Sequence, residues 1–212
     1  RTGSRASFHV GALLHDLSNS GINVGNNPGD QTVAPGASKT YTYYADTQRL
    51  ESTMISDFGG DNSGLDGLYG SVVVAPAGAT FTDPESGVAV DVGSQVDVHV
   101  PGQPAYRDYT LLLADHDPRI GQSTMPYPSA VTGPALVNFR TDGIRADGPT
   151  MFKASAHGGD PATTLLRTYA GEPVAVHVIG APAGDRVHVF DLGRVTGPQA
   201  RYSHTCNTWR TR

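Results

Sequence analysis

The sequence predicts an all-β protein built as a β-sandwich, and three observations carry that prediction. Turn formers are dense, with 26 glycines and 15 prolines in 212 residues, a share still below that of low-complexity chains. The runs between them either alternate apolar and polar residues or are short and β-branched, the patterns of half-buried and buried strands. No stretch repeats apolar residues convincingly at helical spacing, and no repeat of solenoid period is present.

Ala6-Ser7-Phe8-His9-Val10 is the first predicted strand. From Leu17 to Asp30 follows a loop rich in Asn, Ser, Gly and Pro, residues that bend the backbone or bond to it locally. Gln31-Thr32-Val33-Ala34-Pro35-Gly36 leads into Lys39–Tyr44. There Tyr41 and Tyr43 share one face while Thr40, Thr42 and Tyr44 share the other, the period of a half-buried strand. Ser56-Asp57-Phe58-Gly59-Gly60 opens a glycine-punctuated loop that runs through Gly67-Leu68-Tyr69-Gly70. It drops into Ser71-Val72-Val73-Val74-Ala75-Pro76, which reads as a buried closing strand.

Residues 79–104 read as a link and restart, because Pro76-Ala77-Gly78 and Asp83-Pro84 break the chain. Gln95–Val100 then alternates, with Val96, Val98 and Val100 inward and Asp97 and His99 outward. Tyr106–Asp117 has an apolar centre suited to a strand buried on both faces, and an acidic exit suited to a loop. Val174–Ile179 and Arg186–Leu192 are the later strands. This divides the chain into a first domain at 1–78, the link at 79–104, a second domain at 105–200 and an unassigned tail at 201–212.

Composition excludes several classes. A net charge of −5 without a basic run argues against a nucleic-acid partner. No apolar run approaches a membrane span, and no signal-peptide pattern opens the residues. The lone Cys206 excludes an intrachain disulfide and any paired-cysteine metal motif. A hydrolase is poorly supported, since no Gly-x-Ser-x-Gly elbow occurs. His157-Gly158-Gly159-Asp160 and Gly64-Leu65-Asp66-Gly67 lack the strand–helix context of a phosphate cradle. Asp115-His116-Asp117 is the densest ligand-like triplet; it reads either as a weak divalent-cation site or as a solvated strand exit before Pro118. His15-Asp16 is open in the same way.

The loop ending Gly67-Leu68-Tyr69-Gly70, followed by Ser71-Val72-Val73-Val74-Ala75-Pro76, resembles the ligand loop and last strand of a cupredoxin domain. It is similar to those of multicopper oxidases and copper nitrite reductases. The order Phe8-His9, turn-rich loop, Val33-Ala34-Pro35-Gly36, Tyr41 and Tyr43, glycine loop matches the second half of such a domain. Arg107-Asp108-Tyr109, with Ala135–Arg140 further on, resembles more loosely the opening of a following one. The resemblance implies a cupredoxin-like Greek-key β-sandwich, one partial domain followed by a second cupredoxin-like domain. It implies copper as cofactor, copper-dependent oxidation coupled to dioxygen reduction, and an extracytoplasmic or secreted location. Further cupredoxin domains or identical chains are the implied partners.

The ligands depart from that pattern. Where the family's loop carries His-Cys-His, this chain has Ile55, Ser56 and Asp57. Blue-type copper needs two imidazoles and a thiolate, and the His-x-His pairs of a trinuclear site are absent altogether. The expectation is therefore a structural scaffold with vacant copper positions, inactive as an isolated chain. His9 lies on the strand where the family places its first ligand pair. It reads either as one ligand of a copper shared with another domain or chain, or as a hydrogen-bonded histidine left in a former site. Its replacement by alanine is expected to leave stability nearly unchanged. His188 lies in Val187–Gly193, where the ligand positions would be Asp191 and Gly193. His9, His116 and His188 are the candidate metal residues. The alternative is a non-catalytic β-sandwich module that binds a partner protein through exposed strand edges.

Overall fold

The computed structural model describes residues 5–45, 52–59, 68–115, 135–137, 166–180 and 206–211, without the side chains of 114–115, 135–137 and 206–211. The described residues are all-β, as expected; a single 3-10 turn at Leu17–Asn19 is their helical content. None of them forms a helix long and apolar enough to cross a membrane.

The smaller sheet comprises β1 (His9–Val10), β2 (Ser52–Ser56) and β3 (Tyr69–Val73), antiparallel and in that spatial order. Ser52-Thr53-Met54-Ile55-Ser56 is a β-prone run that the pattern of the sequence left unassigned. It is the central strand, pairing His9 with Ser56 on one side and Tyr69 with Ser56 on the other. Gly11 N–H continues the first ladder to the Met54 carbonyl at 3.0 Å, and the Thr53 hydroxyl donates to the Gly11 carbonyl. The Val-rich run was expected to be a buried closing strand. Instead all five β3 residues are half-buried, β3 being the last of its sheet among the described strands.

Of the expected strand Ala6–Val10 the second half joins the ladder as β1, while its first half and the expected strand Lys39–Tyr44 are extended chain held by single bridges. Ala6 makes an isolated bridge to Val33, and Tyr44 makes one to Leu14. The alternation nonetheless holds, with Tyr41 and Tyr43 half-buried and Thr40, Thr42 and Tyr44 exposed. Their hydroxyls donate to the Gln31 and Phe8 carbonyls, so side chains supply the bonds that a neighbouring strand would otherwise make.

The larger sheet runs in the order β4 (Thr80–Thr82), β5 (Gln95–His99), β6 (Tyr106–Asp115), β8 (Val174–Gly180), β9 (Cys206–Thr211). The short β7 (Ala135–Val137) pairs with the far end of β6. The link 79–104 thus supplies two strands. The unassigned tail supplies a third, its Thr and Trp being residues that strands favour. All pairs are antiparallel except β6 with β8, which run parallel.

Strand β6 is buried on both faces, as its apolar centre predicted. On one face Tyr109 and Leu111 pack with Val174 and Val176. On the other, Leu112 and Ile179 receive Met54 and Tyr69 from the smaller sheet. This second contact lays one sheet over the other, the packing expected of a sandwich. Because side chains alternate along a strand, Asp108 and Thr110 share the face of Leu112, and Ala175 and His177 share that of Ile179. The predicted strand Arg186–Leu192 lies outside the described residues.

Candidate functional site

His9, the first sequence candidate, is half-buried on β1. Its Nδ1 lies 2.6 Å from the Ser20 carbonyl oxygen. A carbonyl only accepts, so Nδ1 carries the proton and Nε2 is the basic nitrogen of the neutral ring. His15 repeats the arrangement, its Nδ1 lying 2.7 Å from the Leu13 carbonyl. The two imidazoles meet edge to face at 5.8 Å between centroids. Phe58 stands edge-on to His9 at 5.5 Å, and Tyr43 to His15 at 5.2 Å. His9 therefore sits in an aromatic nest, tied to a loop carbonyl. A hydrogen bond and two ring contacts revise the expectation that alanine here would be nearly neutral.

The loop positions matched to the copper ligands hold the chain together. Asp57 Oδ1 accepts the Ser7 N–H at 2.5 Å and the Gly59 N–H at 2.9 Å. Phe58 N–H returns a bond of 2.8 Å to the Ser7 hydroxyl. This reciprocal clasp fastens the loop after β2 to the segment before β1. Ser56 is buried in the β1–β2–β3 ladder, and Ile55 lies against Gly70. The three side chains are an aliphatic group, a buried hydroxyl and a carboxylate whose Oδ1 is taken up by two backbone amides. They do not fit a type-1 copper centre, which takes two imidazoles and a thiolate. Among the described residues no three His, Cys, Asp or Glu side chains converge. His116 and His188, with the loops at 64–67 and 157–160, lie outside the described residues.

A second centre lies between the sheets. His177 Nε2 approaches Asp108 Oδ2 at 2.7 Å, with side-chain exposures of 2% and 4%. The parallel register places His177 opposite Thr110 and Asp108 opposite Ala175, so the pair is a same-face diagonal between β8 and β6. Burying either group alone would be costly, and their contact offsets that cost.

Asp108 and Thr110 also line a cavity of about 300 Å³, at the small end of the ligand-pocket range. Its walls come from β3 (Val72, Val73), β4 (Phe81), β5 (Val96, Val98) and the turn at Asp91-Val92-Gly93. Apolar side chains dominate, and Asp91 and Asp108 are its ionisable groups.

Neither Asp108 nor His177 was singled out from the sequence, although a signal was present. His177 is the lone ionisable residue within Val174–Ile179, whereas Asp108 stands beside Arg107 at the head of the run Tyr109–Leu113. Their juxtaposition depends on a parallel pairing across some seventy positions, 69 by the separation of the two residues, which no local pattern encodes. Neither the models of known protein families nor the curated proteins gave a match to this chain.

Proposed function

We propose that this chain is a scaffold segment of a multicopper-oxidase-like protein, with a cupredoxin-like Greek-key sandwich and no competent copper position of its own. The order of motifs from Phe8-His9 to the Gly67–Pro76 strand supports the family reading. The clasp carries the scaffold reading: Asp57 binds the Ser7 and Gly59 amides where the family would place a ligand. A carboxylate that holds two backbone donors joins β1 to the loop after β2, a structural task. Copper oxidation then belongs to further cupredoxin domains or to other copies of the chain, in an extracytoplasmic setting, and this segment sets their spacing.

Copper(II) titration followed by visible absorption, alongside oxidation of a phenol, tests the reading. The expected result is no intense thiolate-to-copper band and no phenol oxidation. An intense band saturating at one copper per chain overturns it.

A second reading, a module that accepts a partner's strand, draws on β3 lying at the end of its sheet among the described strands. Reassembly with neighbouring domains separates the two: a scaffold enters a copper-bearing assembly, and a strand-accepting module need not.

A further inference from the structure

The inter-sheet cavity has a chemistry that the scaffold role does not use. Its lining is mostly valine and phenylalanine, with Ser71 and Thr110 as hydroxyls. Both ionisable groups in that lining, Asp91 and Asp108, are acids. Asp108 is buried, whereas Asp91 is exposed at the mouth. The bond from His177 engages Oδ2 alone. A carboxylate has about four lone-pair sites, so Oδ1 retains acceptor capacity for a donor within the cavity. The 2.7 Å contact with His177 Nε2 fixes the orientation of the carboxylate from the side of β8.

We infer that this cavity binds a small organic cation, an amine on a compact apolar body, with Asp108 as its counter-ion. The body replaces water against Val72, Phe81, Val96 and Val98, where the gain is hydrophobic. The ammonium makes a charge-assisted bond to Asp108 in a poorly solvated setting, where such bonds are strongest. Asp91 adds attraction at the mouth, weaker because it is exposed to water and salt. An anion meets two carboxylates and is rejected. A neutral isostere gains the apolar contact and loses the ionic one.

Three probes of one shape test this on the full chain at neutral pH, read by calorimetry and amide chemical shifts: benzylamine, benzyl alcohol and benzoate. Benzylamine is expected to bind saturably, about tenfold or more tighter than benzyl alcohol, and benzoate not at all. Asp91→Asn should weaken benzylamine about twofold and leave benzyl alcohol unchanged. Asp108→Asn should abolish the preference for the amine, and Val96→Phe should fill the space and exclude both probes. The probe series on the unmodified chain decides the matter even if Asp108→Asn fails to fold. Equal binding of all three probes overturns the inference. So does absence of benzylamine binding, or benzylamine binding unaltered in a folded Val96→Phe chain.

Discussion

A β-carbon on Gly59 would stand 2.4 Å from the Ala6 carbonyl carbon, closer than packed atoms approach. The absence of a side chain there lets the loop after β2 lie against Ala6-Ser7, which is what allows Asp57 to reach the Ser7 amide. Gly59→Ala is therefore expected to cost about 2–3 kcal/mol by overpacking. Gly36, at φ +78° with nothing within 4 Å, should cost only about 1 kcal/mol for its left-handed backbone. Urea denaturation of both variants checks the contrast; equal losses would show that the clasp is not close-packed. His9→Ala should cost about 1–2 kcal/mol through its bond to Ser20 and its ring contacts.

Acidic residues set the pH response at this same scale. Hydrogen bonds from Asn23 and then Thr32 hold the Asp30 carboxyl well below its ordinary range. The Ser86 amide and hydroxyl depress Asp83, and the Tyr169 amide, before Thr168, depresses Glu172. A group depressed in the folded chain adds stability above its unfolded pKa and loses it as pH falls through the folded one. The melting temperature is thus expected to hold near neutrality and to decline from about pH 4 downward. A melting temperature unchanged down to pH 2 would show that these bonds do not persist in solution.

Elements were legible in proportion to how locally they are determined. Strands β5 and β8 could be read directly: Val98 and Val100 are buried and His99 is exposed, while Val174–His177 and Ile179 are buried throughout. Strand β2 was hidden because Ser52–Ser56 has too few apolar residues to alternate, and its burial comes from being central between β1 and β3. The Tyr41–Tyr43 segment showed the opposite error. Its periodicity was real, but tyrosine hydroxyls rather than a strand satisfy its neighbours. Strand β9 was missed because Cys206–Thr211 carries no flanking turn signal, and its partner β8 lies some thirty residues upstream in the order of strands. Ending the chain at residue 205 removes that partner and uncovers the edge of β8. A loss of several degrees in melting temperature is expected, with concentration-dependent self-association by light scattering, since open edges pair. An unchanged, monomeric truncation would contradict the place of β9 in the sheet.

At the scale of the molecule, the described sandwich packing sets Met54 and Tyr69 of the smaller sheet against Leu112 and Ile179 of the larger. Beside them lie the cavity and the buried Asp108–His177 pair. The all-β class followed from composition and periodicity, whereas this pair required two strands to meet in parallel. The metal candidates divided similarly. His9 could be placed on its strand from the motif order, but its bond to Ser20 and its aromatic surroundings are tertiary facts. The central proposal is that the loop after β2, which resembles a cupredoxin ligand loop, serves instead as a structural clasp through Asp57. Elemental mass spectrometry of the chain purified without added metal, with its visible spectrum, tests that most directly. The account predicts copper well below one atom per chain and a colourless protein. Copper near one per chain with an intense visible band would contradict it, and His9 would be the first residue to substitute.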